Sequence, residues 1–281
     1  MDRVRQQTLA ENFRTRHRTG PLLLLANAWD ALSARIVEEA GYDAVATTSG
    51  GVNWALGFAD GEAAPWSEVV AATARIARVV DVPLTADIEE GYGGTPADVA
   101  KSVTEIIGAG AVGINLEDGT HEVSAPMRDI GEAASRIRAA RDAACEAAIP
   151  IVINARIDLY LKQVGDPASR FSETVRRAEA YLAAGADCIF PFALTDVDII
   201  GILTQAIKAP LNIVGRAGTP DVATLQRFGV RRVSTASGLT MMAIEETKRI
   251  AQELRQHGSF DILNYKVKRP DIQKLFDRAE R

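Results

Sequence analysis

The chain has 281 residues, of which 47% are hydrophobic and 25% are charged, ordinary values for a globular protein with a sizeable core. Its net charge of −5 argues against bulk binding of nucleic acid or of an anionic membrane surface. No apolar run approaches the ~18 residues of a membrane-spanning helix, the first residues lack the apolar segment of a signal peptide, and two cysteines give no disulfide framework. We therefore expect a cytoplasmic protein.

Apolar strands and amphipathic helices alternate along the chain. A polar surface helix over residues 1–20 precedes the first two strands, at 21–27 and 44–48. Further strands are predicted near 83–88, 112–117, 150–156, 186–191, 210–214 and 230–235, and helices near 66–80, 96–108, 130–147, 170–184, 196–207, 220–228 and 239–256. Eight strands that alternate with helices predict an α/β fold, a (β/α)8 TIM barrel with parallel strands over residues 21–257. An open doubly wound sheet is the alternative, although no Gly-x-Gly-x-x-Gly motif opens the first helix.

Residues 258–281 fall outside this repeat and form a C-terminal tail. Its apolar residues are interleaved with basic ones, and Pro270 divides it into two pieces, because proline interrupts regular structure. The second piece is predicted to be helical. Its apolar stripe has to be buried, either on the chain's own barrel or on a neighbouring subunit.

The stretch from Pro83 to Gly94 carries a chemical signal. Asp87 and Glu89 are two residues apart and therefore point to the same side of a strand. Three glycines follow within five residues of Glu89 and allow a tight turn close to a ligand. Two carboxylates on one face repel each other unless a cation lies between them, and Mg²⁺ or Mn²⁺ prefers such oxygen ligands. A solvated acidic loop is the alternative interpretation.

Polar residues also follow several other predicted strands, and in a parallel barrel these strand ends form the active-site mouth. They are Trp29 after the first strand, Ser49, Gly50 and Gly51 after the second, Glu117 and Asp118 after the fourth, Arg156 after the fifth, and Asn212 on a later strand. Arg156 suits a carboxylate or phosphonate held by a forked pair of hydrogen bonds, and the Ser-Gly-Gly backbone could present N–H groups to an anion. Two plainer roles stay open: Glu117-Asp118 could cap the next helix, and Arg156 could pair with Asp87 or Glu89 without a metal.

Together these residues resemble the isocitrate lyase/phosphoenolpyruvate mutase superfamily over about residues 20–250. The carriers are residues 32–41 (Leu-Ser-Ala-Arg-Ile-Val-Glu-Glu-Ala-Gly), 48–51 (Thr-Ser-Gly-Gly), 87–93 (Asp-Ile-Glu-Glu-Gly-Tyr-Gly), 116–118 (Leu-Glu-Asp) and 154–156 (Asn-Ala-Arg). The resemblance implies a Mg²⁺-dependent (β/α)8-barrel enzyme that cleaves or forms C–C or C–P bonds next to a 2-oxo acid or its enolate. It also implies a homodimer or homotetramer in which a C-terminal helix is exchanged between neighbours.

The resemblance further implies roles for individual residues. Asp87 would ligate Mg²⁺ (or Mn²⁺) directly, while Asp60, Glu89 and Glu117 would hold its waters. The carboxylate of the 2-oxo acid would lie on the Ser49–Gly51 backbone, Arg156 would bind the oxygens of the intermediate, and Trp29 would wall the pocket. The full set of predicted substrate contacts is Trp29, Ser49, Gly50, Gly51, Asp87, Arg156 and Asn212.

The segment after Leu-Glu-Asp departs from the pattern of this family's lyases, which carry Lys-x-Cys-Gly-His there with the cysteine as general acid. Here residues 119–127 contain neither cysteine nor lysine, and Cys145 and Cys188 fit small core positions. His121 is the group in this loop with an ordinary pKa near neutrality. We therefore predict that His121 or Glu122 supplies the catalytic acid or base; a solvated mobile loop is the alternative.

The predicted function is a Mg²⁺-dependent lyase or hydrolase that cleaves a C–C bond of a small 2-oxo- or 2-hydroxy-(di)carboxylate through a metal-bound enolate. The metal and Arg156 would stabilise the enolate oxygen more than the neutral carbonyl. Two other functions stay open. One is C–P bond chemistry on phosphonopyruvate, and the other is a barrel that binds Mg²⁺ and a 2-oxo acid, such as 2-oxoglutarate, with little turnover. The expected partner is a small molecule, with no nucleic acid and no membrane.

Overall fold

The computed structural model describes residues 2–277, in which strands and helices alternate along the chain. The strands are β1 (Leu23–Leu25), β2 (Asn27–Ala28), β3 (Val45–Thr47), β4 (Leu84–Asp87), β5 (Gly113–Glu117), β6 (Val152–Ile157), β7 (Cys188–Pro191), β8 (Asn212–Val214) and β9 (Arg232–Ser234). The helices are α1 (Arg3–Arg18), α2 (Ala31–Glu39), α3 (Ser49–Leu56), α4 (Trp66–Val79), α5 (Pro96–Gly108), α6 (Ile130–Glu146), α7 (Leu159–Lys162), α8 (Arg170–Ala184), α9 (Val197–Ala206), α10 (Val222–Arg227), α11 (Gly238–His257) and α12 (Arg269–Lys274).

The strands pair in parallel and follow one another in chain order around the molecule. β2 to β7 form one run of neighbours, and β9 lies between β1 and β8 in a second run. β1 and β2 are separated by Ala26 alone, so one extended segment joins the two runs. A parallel bridge between Ile189 and Leu211 connects β7 with β8. This order of eight segments is that of a TIM-barrel-like fold, and the predicted fold class is confirmed.

Local sequence signals set the ends of several helices. Asp30 and Ser33 form a reciprocal capping box at the start of α2, which satisfies backbone N–H groups that have no partner inside the helix. Gly185 ends α8 at φ 112°, a left-handed conformation that glycine adopts without steric cost. Because such boundaries define each helix between two parallel strands, the carboxyl ends of the strands all meet at one mouth.

The N-terminal helix α1 is more buried than the predicted surface helix. Its buried residues are Gln6, Ala10, Phe13 and His17, a spacing that places them on one helical face. A Cβ on Gly113, the first residue of β5, would lie 2.8 Å from the Phe13 ring. This face of α1 therefore packs against the amino ends of the strands. The predicted helix is present with its other faces at the surface; the sequence did not indicate the buried stripe, because Gln6 and His17 are polar.

Two further helices, α3 and α7, lie in segments that the sequence predicted as loops. α3 begins at Ser49, so the Ser-Gly-Gly segment is the first turn of a helix rather than an open loop. α7 follows β6 directly and ends at Lys162. Both helices are short, and short helices leave only a weak periodic signal in a sequence. Their position matters because both begin at the carboxyl ends of strands.

The C-terminal tail returns to its own barrel at its far end. α12 carries Pro270 in its first turn, as predicted for the second piece of the tail. Leu275 is buried, and its carbonyl accepts a hydrogen bond from Nε of Arg35 on α2 at 2.8 Å. The last four residues of the predicted tail, 278–281, lie outside the described residues, and the domain limits stay a prediction. Between residues 2 and 277, no helix is long and apolar enough to cross a bilayer.

Candidate functional site

Carboxylates gather where β4 and β5 end, as predicted. Asp87 is the last residue of β4, Glu117 is the last residue of β5, and the Glu117 N–H donates to the Glu89 carbonyl at 3.0 Å. Burial, and after it the charges of Asp87 and Asp60, raise the pKa of Glu89 to about 7. Carboxylates raise one another's pKa only at close range, so these four side chains share one region, which we call the acidic mouth (Asp60, Asp87, Glu89 and Glu117).

Asp87 keeps one carboxylate oxygen without a partner. Its Oδ2 accepts from the Ser49 N–H at 3.2 Å, while Oδ1 is buried and has no hydrogen bond within the described residues. Burial raises the pKa of Asp87, and the Arg156 guanidinium and the Ser49 N–H oppose that rise. A buried carboxylate oxygen without a donor is costly. It is therefore a candidate position for a cation.

Glu89 is held in a strained backbone conformation by a full set of donors. Its φ of 51° is left-handed, which costs a non-glycine residue about 1 kcal/mol or more. The Asn53 side chain donates to its Oε1 at 3.0 Å, the Tyr92 hydroxyl donates to the same oxygen at 3.1 Å, and the Glu62 N–H donates to its Oε2 at 2.9 Å. The carboxylate is thus oriented before any ligand binds. Tyr92 (φ 53°) and Glu62 (φ 55°) share the strained conformation, and such strain clusters at functional sites.

Arg156 is buried between two carboxylates and an aromatic ring. Its Nη1 lies 2.6 Å from Glu117 Oε2, and its Nε and Nη2 donate to the two oxygens of Asp158 at 2.6 and 3.0 Å. The guanidinium stacks over the Phe192 ring at 3.9 Å. These carboxylates raise the pKa of Arg156 against the lowering effect of burial, so the arginine stays charged. The alternative of a pair with Asp87 or Glu89 is replaced by pairs with Glu117 and Asp158, because the register of β5 and β6 places Glu117 directly opposite Arg156.

Glu117 and Asp118 do not cap the following helix. Burial raises the pKa of Glu117, and the adjacent Arg156 opposes that rise. Asp118 faces away from the mouth: its oxygens accept from Arg177 at 2.9 Å, Tyr181 at 2.7 Å and the Asp158 N–H at 2.9 Å. The cap of α6 is Asp129 instead. The Leu-Glu-Asp segment therefore combines one side chain for the site with one for the structural support beneath it.

The first turn of α3 presents its backbone to the same mouth. Thr48, the residue before α3, makes no side-chain cap; its hydroxyl contacts the Ser237 hydroxyl at 2.7 Å instead. A Cβ on Gly50 would lie 3.2 Å from the Asp60 carboxylate, and a Cβ on Gly51 would lie 2.7 Å from the Thr240 hydroxyl. A Cβ would therefore clash at Gly51 and would fit only tightly at Gly50. Because the Ser49 N–H donates to Asp87, the next N–H groups of this uncapped helix start are the natural site for an anion.

Trp29 borders this helix start, and Asn212 lies deeper in the barrel. A Cβ on Gly51 would come within 2.8 Å of Trp29 Cβ, which places the tryptophan beside the Ser-Gly-Gly turn, as predicted. Asn212 is fully buried and opens β8 instead of ending it. Its amide donates to the Ser234 hydroxyl at 3.1 Å. No contact of Asn212 with the acidic mouth is present within residues 2–277, so its substrate contact stays a prediction without support from this geometry.

His121 and Glu122 lie on a narrow loop that begins just after β5. Gly119 and Met127 pair across its base, and the loop borders a cavity of about 540 Å³. The His121 ring is half exposed, with Nε2 at 3.2 Å from Glu90 and 4.0 Å from Glu89. Glu122 is exposed to solvent. The imidazole therefore reaches the edge of the acidic mouth, whereas the Glu122 side chain faces outward.

Neither cysteine compensates for the missing family cysteine. Cys188 is buried in β7, and its burial raises the pKa of the thiol to about 12. Cys145 is exposed on α6. A thiol that stays protonated inside the barrel is a poor proton donor at neutral pH. The general acid of this chain is therefore to be sought among other residues.

The donor set of the acidic mouth fits a hard divalent cation held mostly through water. It consists of carboxylate oxygens, which Mg²⁺ and Mn²⁺ prefer, and Asp87 Oδ1 has no hydrogen-bond partner in the part of the chain that the structure describes. Within the described residues, no three His, Cys, Asp or Glu side chains converge as direct ligands of one ion would. Glu89 and Glu117 are instead occupied by hydrogen bonds and an ion pair. This geometry suits one direct carboxylate ligand, since Mg²⁺ usually retains several waters in proteins.

Sequence reasoning missed Arg232, which lies in the barrel interior below the mouth. Its guanidinium is fully buried and contacts Asn115 Oδ1 at 3.2 Å and His17 Nε2 at 3.4 Å. Burial lowers the pKa of Arg232 to about 10, while the neighbouring Cys188 and Asp87 oppose this change. An arginine between apolar strand residues was the available signal. Arg232 supplies positive charge beneath Asp87. Asp87 lies opposite Asn115 in the register of β4 and β5.

Comparison with known proteins places these features in a family. A model of the phosphoenolpyruvate phosphomutase family matches residues 13–255. The 2-methylisocitrate lyase of Escherichia coli K12 is 28% identical, with 92% of this chain and 93% of that protein aligned. Oxaloacetate decarboxylase 1 of Pseudomonas fluorescens Pf0-1 is 28% identical over 91% of this chain and 88% of that protein.

Solved structures agree with this relationship. A provisionally assigned lyase/mutase from Burkholderia cenocepacia J2315 is 33% identical and superposes with a TM-score of 0.90 over 98% of both chains. A phosphonopyruvate hydrolase in complex with oxalate and Mg²⁺ shares the fold at 24% identity, with a TM-score of 0.84 over 95% of this chain and 94% of that one. The predicted resemblance and the predicted enzyme class of carbon–carbon lyase type are confirmed, while the reaction itself is not fixed by them. The chain belongs to the phosphoenolpyruvate phosphomutase family.

Proposed function

We propose that this protein is a divalent-metal-dependent lyase or hydrolase that cleaves a C–C bond of a small 2-oxo- or 2-hydroxy-(di)carboxylate. The observation that carries the proposal is the unpartnered, buried Oδ1 of Asp87, in a cluster of acids beside a permanently charged arginine. A cation is the partner that this oxygen lacks. The named activities of the two relatives, on 2-methylisocitrate and on oxaloacetate, are of this chemical class.

Asp87 is the proposed direct ligand of Mg²⁺, with Mn²⁺ as a second possibility. Asp60, Glu89 and Glu117 are proposed to hold its waters, because their oxygens surround the same region while two of them keep protein partners. When bound, the cation supplies Lewis-acid stabilisation of negative charge that develops on a substrate oxygen, an effect worth several kcal/mol. It also neutralises acids whose pKa burial has raised.

The first turn of α3 is the proposed site for the substrate carboxylate. The N–H groups of Gly50 and Gly51 lie at an uncapped helix start, where the helix dipole favours an anion. Trp29 borders this turn and would limit the length of the carbon chain beside it. Both features favour a short substrate with a terminal carboxylate.

Arg156 is the proposed group that stabilises charge on the reacting oxygen. It is locked by Asp158 and Glu117, so its orientation is fixed before the substrate arrives. Three of its five N–H groups are used by these carboxylates, which leaves two for a substrate oxygen. A preorganised donor of this kind stabilises the transition state without reorganisation.

His121 is the proposed acid or base, with Glu122 as the less favoured choice. The His121 imidazole is 4.0 Å from Glu89, whereas the Glu122 carboxylate faces solvent. General acid–base catalysis contributes about 10²–10⁴-fold, so His121→Gln should lower kcat by at least about 10²-fold, while Glu122→Gln, which removes the less favoured candidate on the same loop, should leave kcat unchanged. If His121→Gln has the same kcat as the wild type at every pH from about 6.5 to about 8.5, this role is refuted.

One experiment tests the proposed function as a whole. The protein is incubated with Mg²⁺ and, separately, oxaloacetate, 2-oxoglutarate, isocitrate, methylisocitrate, dimethylmalate and phosphonopyruvate, and both product formation and thermal stabilisation are measured. Product from a C–C substrate, lost on addition of EDTA, supports the proposal. Inorganic phosphate from phosphonopyruvate instead indicates C–P chemistry, and stabilisation without product indicates a binding protein. If neither EDTA nor Asp87→Asn changes any signal, the proposal fails.

The exposed surface of α11 supports a proposed homodimer or homotetramer. Of its twenty residues Thr240 alone is buried, while Leu239, Met241, Met242 and Ile244 are exposed. Apolar side chains grouped on one exposed helix favour association with another chain. Exchange of a C-terminal helix with a neighbour would cover them. Light scattering should give more than one chain per particle, and Met241→Glu with Ile244→Glu should yield monomers; a monomeric wild type would contradict this proposal.

A further inference from the structure

A separate cavity of about 520 Å³ lies at the opposite mouth of the barrel, near the amino ends of β7, β8 and β9. Its apolar wall consists of Leu182, Ala209 and Pro210, and its charged lining consists of Arg18, Lys208, Arg231 and Asp187. The end of α1 contributes His17 to the same lining. The volume is within the range of small-molecule sites, about 300–1,000 Å³.

The single carboxylate in this lining is already compensated by arginines behind it. Asp187 Oδ1 lies 2.8 Å from Arg14, and Oδ2 accepts from Arg141 and from the Ile153 N–H at 3.0 Å. Arg18 is 3.9 Å from the same carboxylate and its side chain is 61% exposed. Asp187 therefore has little charge left to offset the other cations of the cavity.

Arg231 and Lys208 have no ion-pair partner within residues 2–277. Arg231 donates from Nε to the His17 carbonyl at 3.3 Å, and its Nη2 is buried without a hydrogen bond. Lys208 donates to the Gln205 carbonyl at 2.6 Å. Burial, followed by the charge of Arg232, lowers the pKa of His17 to about 3, so His17 is neutral. The cavity thus carries uncompensated positive charge beside an apolar wall.

We propose that this cavity binds a small organic anion that carries two or more negative charges on phosphate or carboxylate groups. Lys208, Arg18 and Arg231 supply the charge that such a ligand needs, and the wall of Leu182, Ala209 and Pro210 accepts its carbon skeleton. The site is independent of the proposed catalytic function, because its lining belongs to the amino ends of the strands and the acidic mouth to the carboxyl ends. A ligand here would act as an effector or stabiliser of the barrel.

Calorimetry on the full chain tests this site with two probes, pyrophosphate and citrate, after divalent metal and chelator have been removed from the protein, since a polycarboxylate chelator would compete for the same cavity. At about 0.05 M ionic strength the Debye length exceeds 10 Å, so charge-dependent binding is well resolved. Lys208→Glu, which changes an exposed side chain, should weaken binding by about tenfold or more. Arg231→Gln should do the same, and Lys248→Glu on the exposed face of α11 should leave the affinity unchanged.

Hydrogen exchange locates the bound probe. Slower exchange in residues 182–187 and 208–211 on addition of the probe supports the proposal; preference for pyrophosphate assigns a phosphorylated ligand, and preference for citrate assigns a polycarboxylate. The proposal is overturned if neither probe binds to the wild type. It is equally overturned if Lys208→Glu binds both probes as tightly as the wild type, or if protection appears only around residues 49–51.

Discussion

The two mouths of the barrel carry unbalanced charges of opposite sign. The acidic mouth gathers four carboxylates near Arg156. The opposite mouth, which we call the basic mouth, gathers cations around Asp187; its members are Arg14, Arg18, Arg141, Lys208 and Arg231. Both mouths border the same short parallel strands, so the strands themselves do not explain the difference in the sign of the charge.

A buried aspartate has different partners at the two mouths. Asp187 is buried but has arginine and backbone partners for both oxygens, which makes it part of the structure that attaches α1 to the barrel. Asp87 keeps an oxygen without a partner among residues 2–277, and burial raises its pKa. A buried charge with partners supports the fold, whereas a buried charge without one costs stability, which is consistent with the ligand proposed for Asp87.

The largest expected effect is that of Asp87→Asn on turnover. Loss of the proposed metal ligand should lower kcat by about 10³-fold or more. Because a raised pKa means that the ionised form is disfavoured in the folded state, the same change should leave the metal-free melting temperature equal or higher. Steady-state kinetics and thermal melts in EDTA measure the two effects. Asp142→Asn, on the exposed side of α6, is the matched control; a lowered metal-free melting temperature would argue that Asp87 is structural.

The contrasting change at the basic mouth is Asp187→Asn. Removal of this charge leaves Arg141 and Arg14 without their shared carboxylate, and breaking a buried ion pair costs about 3–5 kcal/mol. The free energy of unfolding from urea titration should fall by that amount, again with Asp142→Asn as the control. A loss below about 1 kcal/mol, the range of exposed ion pairs, would show that the two mouths do not differ as described.

A smaller effect is expected in the pH dependence of stability. The pKa of Glu89 is raised to about 7 in the folded protein from an ordinary value of 4.5, so the folded state binds more protons between these values. The free energy of unfolding of the metal-free protein should therefore fall as pH rises from about 4.5 to 7. Glu89→Gln should remove about 1–3 kcal/mol of this fall. Identical pH profiles for the variant and the wild type, measured by urea unfolding, would rule out the raised pKa.

Much of the acidic mouth follows from the sequence because strand ends converge in a parallel barrel. Asp87, Glu117 and Arg156 each close a predicted strand, and the structure brings them to one mouth. Asp158 could have been predicted by the same reasoning, since it is two residues beyond Arg156 and faces the same side. The partners in the ion pairs could not be predicted from the sequence. They depend on the register of β5 against β6, which the apolar pattern of buried strands does not specify.

Other parts of the molecule depend on contacts that a linear pattern does not record. The buried face of α1 includes polar Gln6 and His17, so hydrophobic periodicity misses it. His17 meets Arg232, more than 200 residues away in the chain, and that contact requires the closed order of the strands. The basic mouth arises in the same way, from residues of α1, of α6 and of the segments before β7, β8 and β9.

Calorimetric titration of Mg²⁺ into the metal-free protein decides whether the acidic mouth binds a divalent cation. We expect saturable binding of one ion per chain that strengthens as pH rises through about 7, because protons compete for the same carboxylates. Asp87→Asn should abolish this binding, while Asp142→Asn should leave it intact. Absence of Mg²⁺ and Mn²⁺ binding by the wild type, or equal binding by Asp87→Asn, would refute the proposed metal site.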